Sequence, residues 1–209
     1  LAGWIAAAQA TEVDAASIAR LNQWLPGDSD LDAYLNTLDG MLADIAEQEQ
    51  GRGKVQAPFM EVYRTLLRAT AWQETCWRQY VKEAGRIEPL RSSAGSVGLM
   101  QINQHVWRGV YDLNKLAGDI GYNARAGNEI LVHYLVDFAI KKKEHEATGD
   151  PHNLARATYA VYNGGPGHLR RYRDPKESRS LREIDAAFWK KYQALRASGV
   201  AAVKQCYAP

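Results

Sequence analysis

The chain has 209 residues, of which 46% are hydrophobic and 24% are charged, and this composition excludes extended disorder. Its 17 Gly and 7 Pro residues exclude a collagen-like or low-complexity architecture. The 26 Lys and Arg residues nearly balance the 24 Asp and Glu residues, so no strong net field marks the chain as a nucleic-acid binder.

The hydrophobic pattern predicts an almost entirely helical chain, because apolar residues recur at the helical period and no alternating run predicts a sheet of any size. A linker is predicted at residues 51–54, where two glycines flank Arg52. Ser29 or Asp30 is predicted to cap the second helix. Helices are predicted at residues 4–24, at 31–45 by the apolar positions, after Pro58 toward Trp77, and at 124–142, 154–162 and 184–195.

The two cysteines, Cys76 and Cys206, are too few for a disulfide scaffold and lack the spacing of metal ligands. They could form one bridge in an oxidising compartment or remain two buried thiols. No stretch approaches the ~20 apolar residues of a membrane span. The apolar opening at residues 1–8 lacks an initiator Met and a basic region, so we do not expect an intact signal peptide there.

Glu74 is the first candidate for chemistry, because it lies between Trp72 and Trp77 in an otherwise apolar helix. A carboxyl group in such surroundings should have a raised pKa, which a general acid needs near neutral pH. Taken alone, a glutamate is more often a solvated surface residue.

Two glycine-containing segments could complete a site with Glu74. Residues 95–103 place Met100 and Gln101 directly after a Gly/Ser-rich turn, which alone is most simply a connection between helices. Residues 160–167 place Tyr162 and Asn163 where a helix must end before Gly164 and Pro166. The first of these segments does not follow a predicted strand, so it does not predict a dinucleotide-binding loop.

The order of these motifs resembles the catalytic domain of soluble-type lytic transglycosylases, lysozyme-like enzymes that cleave peptidoglycan glycan strands. The resemblance covers residues 59–173 and rests on four matched segments: Glu74-Thr75, residues 95–101, Asn123 with Gly127 and Leu131, and residues 162–167. The chain departs from the family pattern where Thr75 replaces Ser, Ser96 replaces Ala and Ile130 replaces Tyr. Extra residues also lie within 78–92, either as a surface loop or as a modifier of saccharide binding.

The resemblance implies that Glu74 acts as a single general acid and base, assisted by the N-acetyl group of the substrate. The product would be a 1,6-anhydromuramyl sugar, and Tyr162 would lie beside Glu74. It implies no cofactor, and the five histidines lack the spacing of metal ligands. Residues expected to contribute to substrate binding are Trp77, Ser93, Met100, Gln101 and Asn163.

The resemblance further implies an all-α, lysozyme-like fold with additional helices at both ends. We expect an N-terminal extension at 1–57, a catalytic domain at 58–180 and a C-terminal helix at 181–209. Peptidoglycan as the partner implies an exported, periplasmic or envelope-associated protein, which favours a bridge between Cys76 and Cys206. Two alternatives remain open: a goose-type lysozyme-like hydrolase of peptidoglycan or a chitin-like glycan, and a non-catalytic glycan-binding or scaffold protein.

Overall fold

The computed structural model describes residues 15–147 and 149–207, and most of them are helical. The predicted helical architecture is confirmed. The α-helices are α1 (Ala15–Leu21), α2 (Leu31–Gly51), α3 (Met60–Thr75), α4 (Gln104–Trp107), α5 (Leu113–Gly118), α6 (Ile120–His133), α7 (Asn153–Gly164) and α8 (Arg179–Ser198). A π-helical segment, Tyr134–Ile140, continues α6, and a 3-10 segment, Gly199–Cys206, follows α8.

Several helix boundaries differ from the predicted ones. Of the predicted helix at 4–24, residues 1–14 lie outside the described part of the chain, and α1 ends at Leu21. The predicted helix at 124–142 changes to π-helix at Tyr134. Asp30 does precede α2, but its carboxylate accepts from the Trp24 indole and the Gly27 amide instead of capping the helix.

Helix α3 lies at the centre of the fold and packs against α2, α7 and α8. It is buried on most sides because its apolar residues occupy more than one helical face. The helix ends where Cys76 and Trp77 adopt left-handed backbone conformations, with φ of 54° and 60°. This sharp turn directs the chain away from α3 immediately after Glu74 and Thr75.

Two small antiparallel sheets correct the prediction of a chain without strands. Strand β1 (Tyr80–Glu83) pairs with β2 (Arg86–Pro89), and this hairpin accounts for the extra residues within 78–92. Strand β3 (Ser96–Val97) pairs with β4 (Ile102–Asn103) around the Gly-Leu-Met-Gln turn. Strands of two to four residues carry too few alternating positions for a period to be recognised.

The chain after α7 returns to α3. Helix α8 packs along α3, and Cys206 forms a disulfide with Cys76 at the end of α3. The Tyr207 hydroxyl donates a 2.8 Å hydrogen bond to the Cys76 carbonyl, which strengthens this attachment. Among the described residues, every helix is too short or too polar to cross a membrane.

Candidate active site

A cavity of about 470 Å³ opens between the end of α3, the β3–β4 turn, α4 and the end of α7. This volume lies within the range of small-molecule binding sites in proteins. The lining combines polar and aromatic side chains, including Glu74, Gln101, Trp107, Tyr134, Tyr162 and Asn163. Such surroundings suit a ligand with hydroxyl groups and flat apolar faces, because tyrosine and tryptophan offer both an apolar ring and a polar tip.

Glu74 lies in the last turn of α3 and reaches the cavity from a largely buried position. Burial raises the pKa of Glu74 to about 7, although the Tyr159 hydrogen bond and the Lys191 charge act in the opposite direction. An upward shift of this pKa is what the apolar neighbours of Glu74 in the sequence predict. A carboxyl group with this pKa exists in both protonation states near neutral pH, so it can donate a proton and also take one back.

Tyr159 is the tyrosine that contacts Glu74. Its hydroxyl donates a 3.1 Å hydrogen bond to Glu74 Oε1, and burial keeps its pKa well above the usual value, so it remains a donor. The resemblance implies that Tyr162 lies beside the acid. Its side chain lines the same cavity as Glu74, and its hydroxyl donates a 2.6 Å hydrogen bond to the Met100 carbonyl. Burial raises the pKa of Tyr162 as well, and the Glu74 charge adds to that shift.

Two buried amide side chains hold the β3–β4 turn in place. Gln79 accepts from the Leu99 amide at 2.7 Å, and Asn123 accepts from the Met100 amide at 2.8 Å. Both side chains also donate to the Leu116 carbonyl at 3.0 Å. Because every one of these groups is buried, the hydrogen bonds fix the backbone of the turn next to the cavity.

Thr75 connects this turn directly to the helix that carries Glu74. Its hydroxyl donates a 2.8 Å hydrogen bond to the Leu99 carbonyl. Gly98 has φ of +74°, and a Cβ atom there would overlap the amides of Asn123 and Gln79. The turn therefore needs a glycine at Gly98 for both its backbone conformation and its close packing.

The structure brings only some of the predicted binding residues to the cavity. Gln101 and Asn163 line it. Trp77 is fully buried in the core, where its indole donates to the Arg68 carbonyl, so the prediction that it lines the site is wrong. The Met100 side chain is also buried, against Gly127, and only its backbone carbonyl reaches Tyr162.

Ser93 is exposed in the segment before β3 and is absent from the cavity wall, whereas Ala94 and Ser96 contribute to it. Tyr159, Trp107 and Tyr134 are not among the residues that the sequence predicts for the site. A signal existed for Tyr159, because it lies three residues before Tyr162 and therefore shares a helical face with it. Trp107 and Tyr134 come from α4 and the π-helical segment, which only the tertiary fold brings to the cavity.

Four other acidic residues, Glu83, Glu88, Asp112 and Asp119, lie away from the cavity. Asp112 caps α5 by accepting from two backbone amides, and Asp119 caps α6 by accepting from the Tyr122 amide. Glu83 and Glu88 belong to the β1–β2 hairpin and line a separate surface depression. Among the described residues that line the cavity, Glu74 is the only carboxylic acid.

A helical domain with one largely buried carboxylic acid in a polar and aromatic cleft is the arrangement expected of a glycan-cleaving protein. The model of the transglycosylase SLT domain family matches residues 57–184, more than half of the chain, and the chain belongs to this family. This membership confirms the predicted family and the lysozyme-like fold, and it supports a glycan-cleaving enzyme that acts on peptidoglycan. No match was found among curated proteins or among solved structures.

Proposed function

We propose that the chain is a lytic transglycosylase that cleaves the bond between N-acetylmuramyl and N-acetylglucosaminyl residues without water. One observation carries the proposal. Glu74 is largely buried at a cavity whose described lining holds no second carboxylic acid, and its pKa is raised to about 7. Two-carboxylate glycosidases need the second group as a nucleophile or to activate water, so a lone acid favours a reaction in which the substrate supplies the nucleophile.

In the first step, protonated Glu74 transfers its proton to the glycosidic oxygen as the bond from that oxygen to the muramyl C1 breaks. Burial favours the neutral acid before the reaction, because a charged carboxylate is poorly solvated at this position. Tyr159 then stabilises the carboxylate that forms, because its hydroxyl already points at Oε1. The N-acetyl group of the muramyl sugar assists departure at C1.

In the second step, the Glu74 carboxylate takes the proton of the muramyl C6 hydroxyl, and O6 bonds to C1 to close a 1,6-anhydro ring. The acid returns to its starting state, so the cycle consumes no external reactant. An internal hydroxyl has a large entropic advantage over water once the sugar is held in place. The cavity walls offer that placement through Gln101, Asn163 and Tyr162.

Sugar contacts follow from the types of side chain in the cavity. The Gln101 amide donates to the Gly98 carbonyl at 3.0 Å, which fixes its orientation and leaves its oxygen available to a hydroxyl. Asn163 is exposed at the end of α7. The rings of Trp107 and Tyr134 provide apolar faces against which a pyranose ring can pack.

The proposed substrate lies outside the cytoplasmic membrane, so we also propose an exported, periplasmic or envelope-associated protein. The disulfide between Cys76 and Cys206 supports this placement, because such bonds persist mainly in oxidising compartments.

The test is digestion of purified sacculi in water enriched in oxygen-18, followed by mass spectrometry of the muropeptides. We expect anhydromuropeptides without label at the cleaved muramyl carbon. Labelled reducing-end products would instead place the chain among hydrolases. Glycan binding without any cleavage would indicate the scaffold alternative.

The matching variants are Glu74→Gln and Glu83→Gln. Glu74→Gln should lose cleavage while keeping the fold and glycan binding, because the amide retains the shape of the side chain but cannot transfer a proton. Glu83→Gln changes an exposed hairpin residue and should retain full activity. Full activity in a folded Glu74→Gln variant would mean that another residue is the acid.

A further inference from the structure

Helix α8 presents two side chains to the immediate surroundings of Glu74. Phe188 and Lys191 are three residues apart, so they lie on the same face of the helix. Both lie beyond residue 184, where the family match ends. The surroundings of the candidate acid therefore include residues that the matched domain does not supply.

Phe188 orients Tyr159, the residue whose hydroxyl donates a hydrogen bond to Glu74. Its ring stacks on Tyr159 with a centroid separation of 4.1 Å and an interplanar angle of 3°. Tyr159 in turn donates to Glu74, so the position of α8 affects the carboxyl group through one intervening side chain, that of Tyr159.

Lys191 approaches α3 one turn further along α8. Its ammonium group donates a 2.8 Å hydrogen bond to Oε1 of Gln73, the residue that precedes Glu74. This bond places a half-buried positive charge beside the backbone that carries the acid. At such a position a charge acts more strongly than in bulk water, because the surrounding protein screens it less.

We propose that Lys191 is a positioning residue for catalysis, whose ammonium group, held by Gln73, stabilises the ionised form of Glu74 on which the base step depends. This inference rests on the proposed function, because only an acid that alternates between two protonation states needs both forms to be accessible.

Neither α7 nor α2 supplies a positive charge to Glu74 in place of the Lys191 ammonium group. Helix α7 contributes the phenols of Tyr159 and Tyr162, whose raised pKa values keep them neutral. Two acidic residues of α2 are engaged with arginines of α3, in the pairs Asp39 with Arg68 and Glu47 with Arg64. Among the described residues, Lys191 is the cation whose field lowers the pKa of Glu74.

The two charges also affect each other in the expected directions. Burial lowers the pKa of Lys191, and the negative charge of Glu74 acts to raise it. Burial raises the pKa of Glu74, and the positive charge of Lys191 acts to lower it. Each group therefore favours the charged form of the other, which is the relation that a supporting cation requires.

The experiment compares Lys191→Met, Lys191→Arg and Lys190→Met. Lys190 is exposed on the same helix, so its removal subtracts the same formal charge from a solvated position. In Lys191→Met, Glu74 should keep its proton to higher pH. The alkaline limb of kcat/KM should therefore move to higher pH, while kcat at pH 7 falls because the carboxylate is harder to form. Lys191→Arg and Lys190→Met should keep the wild-type limb.

A second readout needs no substrate. The carboxyl resonance of Glu74, labelled with carbon-13 and assigned by its loss in Glu74→Gln, is titrated in each variant. Its midpoint should rise in Lys191→Met and remain unchanged in Lys190→Met. An unchanged midpoint in a folded Lys191→Met variant would overturn the inference.

If Lys191→Met does not fold, Gln73→Met provides the same test, because it removes the acceptor that holds the ammonium group. The midpoint should again rise, and an unchanged midpoint would again overturn the inference. Failure of the proposed function is distinguishable from either result. Labelled reducing-end products would exclude a transglycosylase and would leave the measured effect of Lys191 on Glu74 intact.

Discussion

The hydroxyl of Tyr159 donates a hydrogen bond to Glu74 Oε1 at 3.1 Å. Tyr162, one helical turn later, bonds instead to the backbone of the glycine-containing turn, at the Met100 carbonyl. The two tyrosines of α7 therefore differ in their contacts. Tyr159 bonds to the acid directly, and Tyr162 holds the backbone of the turn that forms one wall of the cleft.

The first prediction compares Tyr159→Phe with Tyr162→Phe. A hydrogen bond to a charged group contributes about 1.5–3 kcal/mol, so Tyr159→Phe should lower kcat by about tenfold or more. It should also move the alkaline limb of activity to higher pH, because the bond lowers the pKa of Glu74. Tyr162→Phe should reduce turnover less and leave the limb in place. Steady-state kinetics on purified glycan strands from pH 5 to pH 9 measure both effects, and equal shifts of the limb would contradict the assignment.

The second prediction concerns stability and pH. Burial raises the pKa of Glu74 in the folded chain from the ordinary value of 4.5 to about 7. The folded state therefore holds this proton more tightly than the unfolded state, and the resulting stabilisation is lost as the pH rises from about 4.5 through about 7. At pH 8, Glu74→Gln should be more stable than the wild type by up to about 3 kcal/mol.

Urea denaturation at pH 4 and at pH 8 gives the required comparison. At pH 4 the carboxyl group is protonated in both states, so the wild type and Glu74→Gln should have similar free energies of unfolding. Glu83→Gln, which removes the same formal charge from an exposed position, is the matched control. A Glu74→Gln advantage of the same size at both pH values would show that charge burial is not its cause.

The third prediction separates backbone strain from steric overlap at glycine. Gly85 and Gly98 have similar positive φ angles of +80° and +74°, but a Cβ atom has open space only at Gly85. Gly85→Ala should cost about 1–2 kcal/mol from the left-handed conformation alone. Gly98→Ala should cost about 3 kcal/mol or more, because it also displaces the amides of Gln79 and Asn123. Equal losses in chemical denaturation would contradict the packing argument.

The fourth prediction concerns the disulfide. Cys76 and Cys206 are 130 residues apart, and closing a loop of that length stabilises a protein by about 4–5 kcal/mol in the chain-entropy model. The double variant Cys76→Ser, Cys206→Ser should lose free energy of unfolding on that order. Titration of thiols in the denatured, unreduced wild type should find none. Two free thiols, or equal stability with and without reductant, would contradict the prediction of a stabilising disulfide.

The sequence predicted the helical fold and Glu74 because both depend on local patterns. Apolar residues at the helical period identify α2, α3, α7 and α8, and an acid between Trp72 and Trp77 identifies a carboxyl group with apolar neighbours. The four matched segments also predicted the family, since each has a fixed order along the chain. The raised pKa of Glu74 follows from burial, which its neighbours already indicate.

The remaining features depend on contacts between distant segments. The sequence predicts Trp77 in the cleft, but the left-handed turn at Cys76 directs it into the core. A turn of this kind without glycine carries no sequence signal. The contact between Tyr159 and Glu74 joins residues 85 positions apart. Lys191 is one of many lysines in the sequence, and only the packing of α8 on α3 distinguishes it.

The attachment of the segment after α8 to the end of α3 also fixes the order in which the surroundings of Glu74 are assembled. Synthesis from the N-terminal end produces Glu74 well before Lys191 and Cys206. The tyrosines of α7 likewise precede Phe188, whose ring stacks on Tyr159. The immediate neighbours of Glu74 are therefore complete only after α8 has been made and has packed on α3.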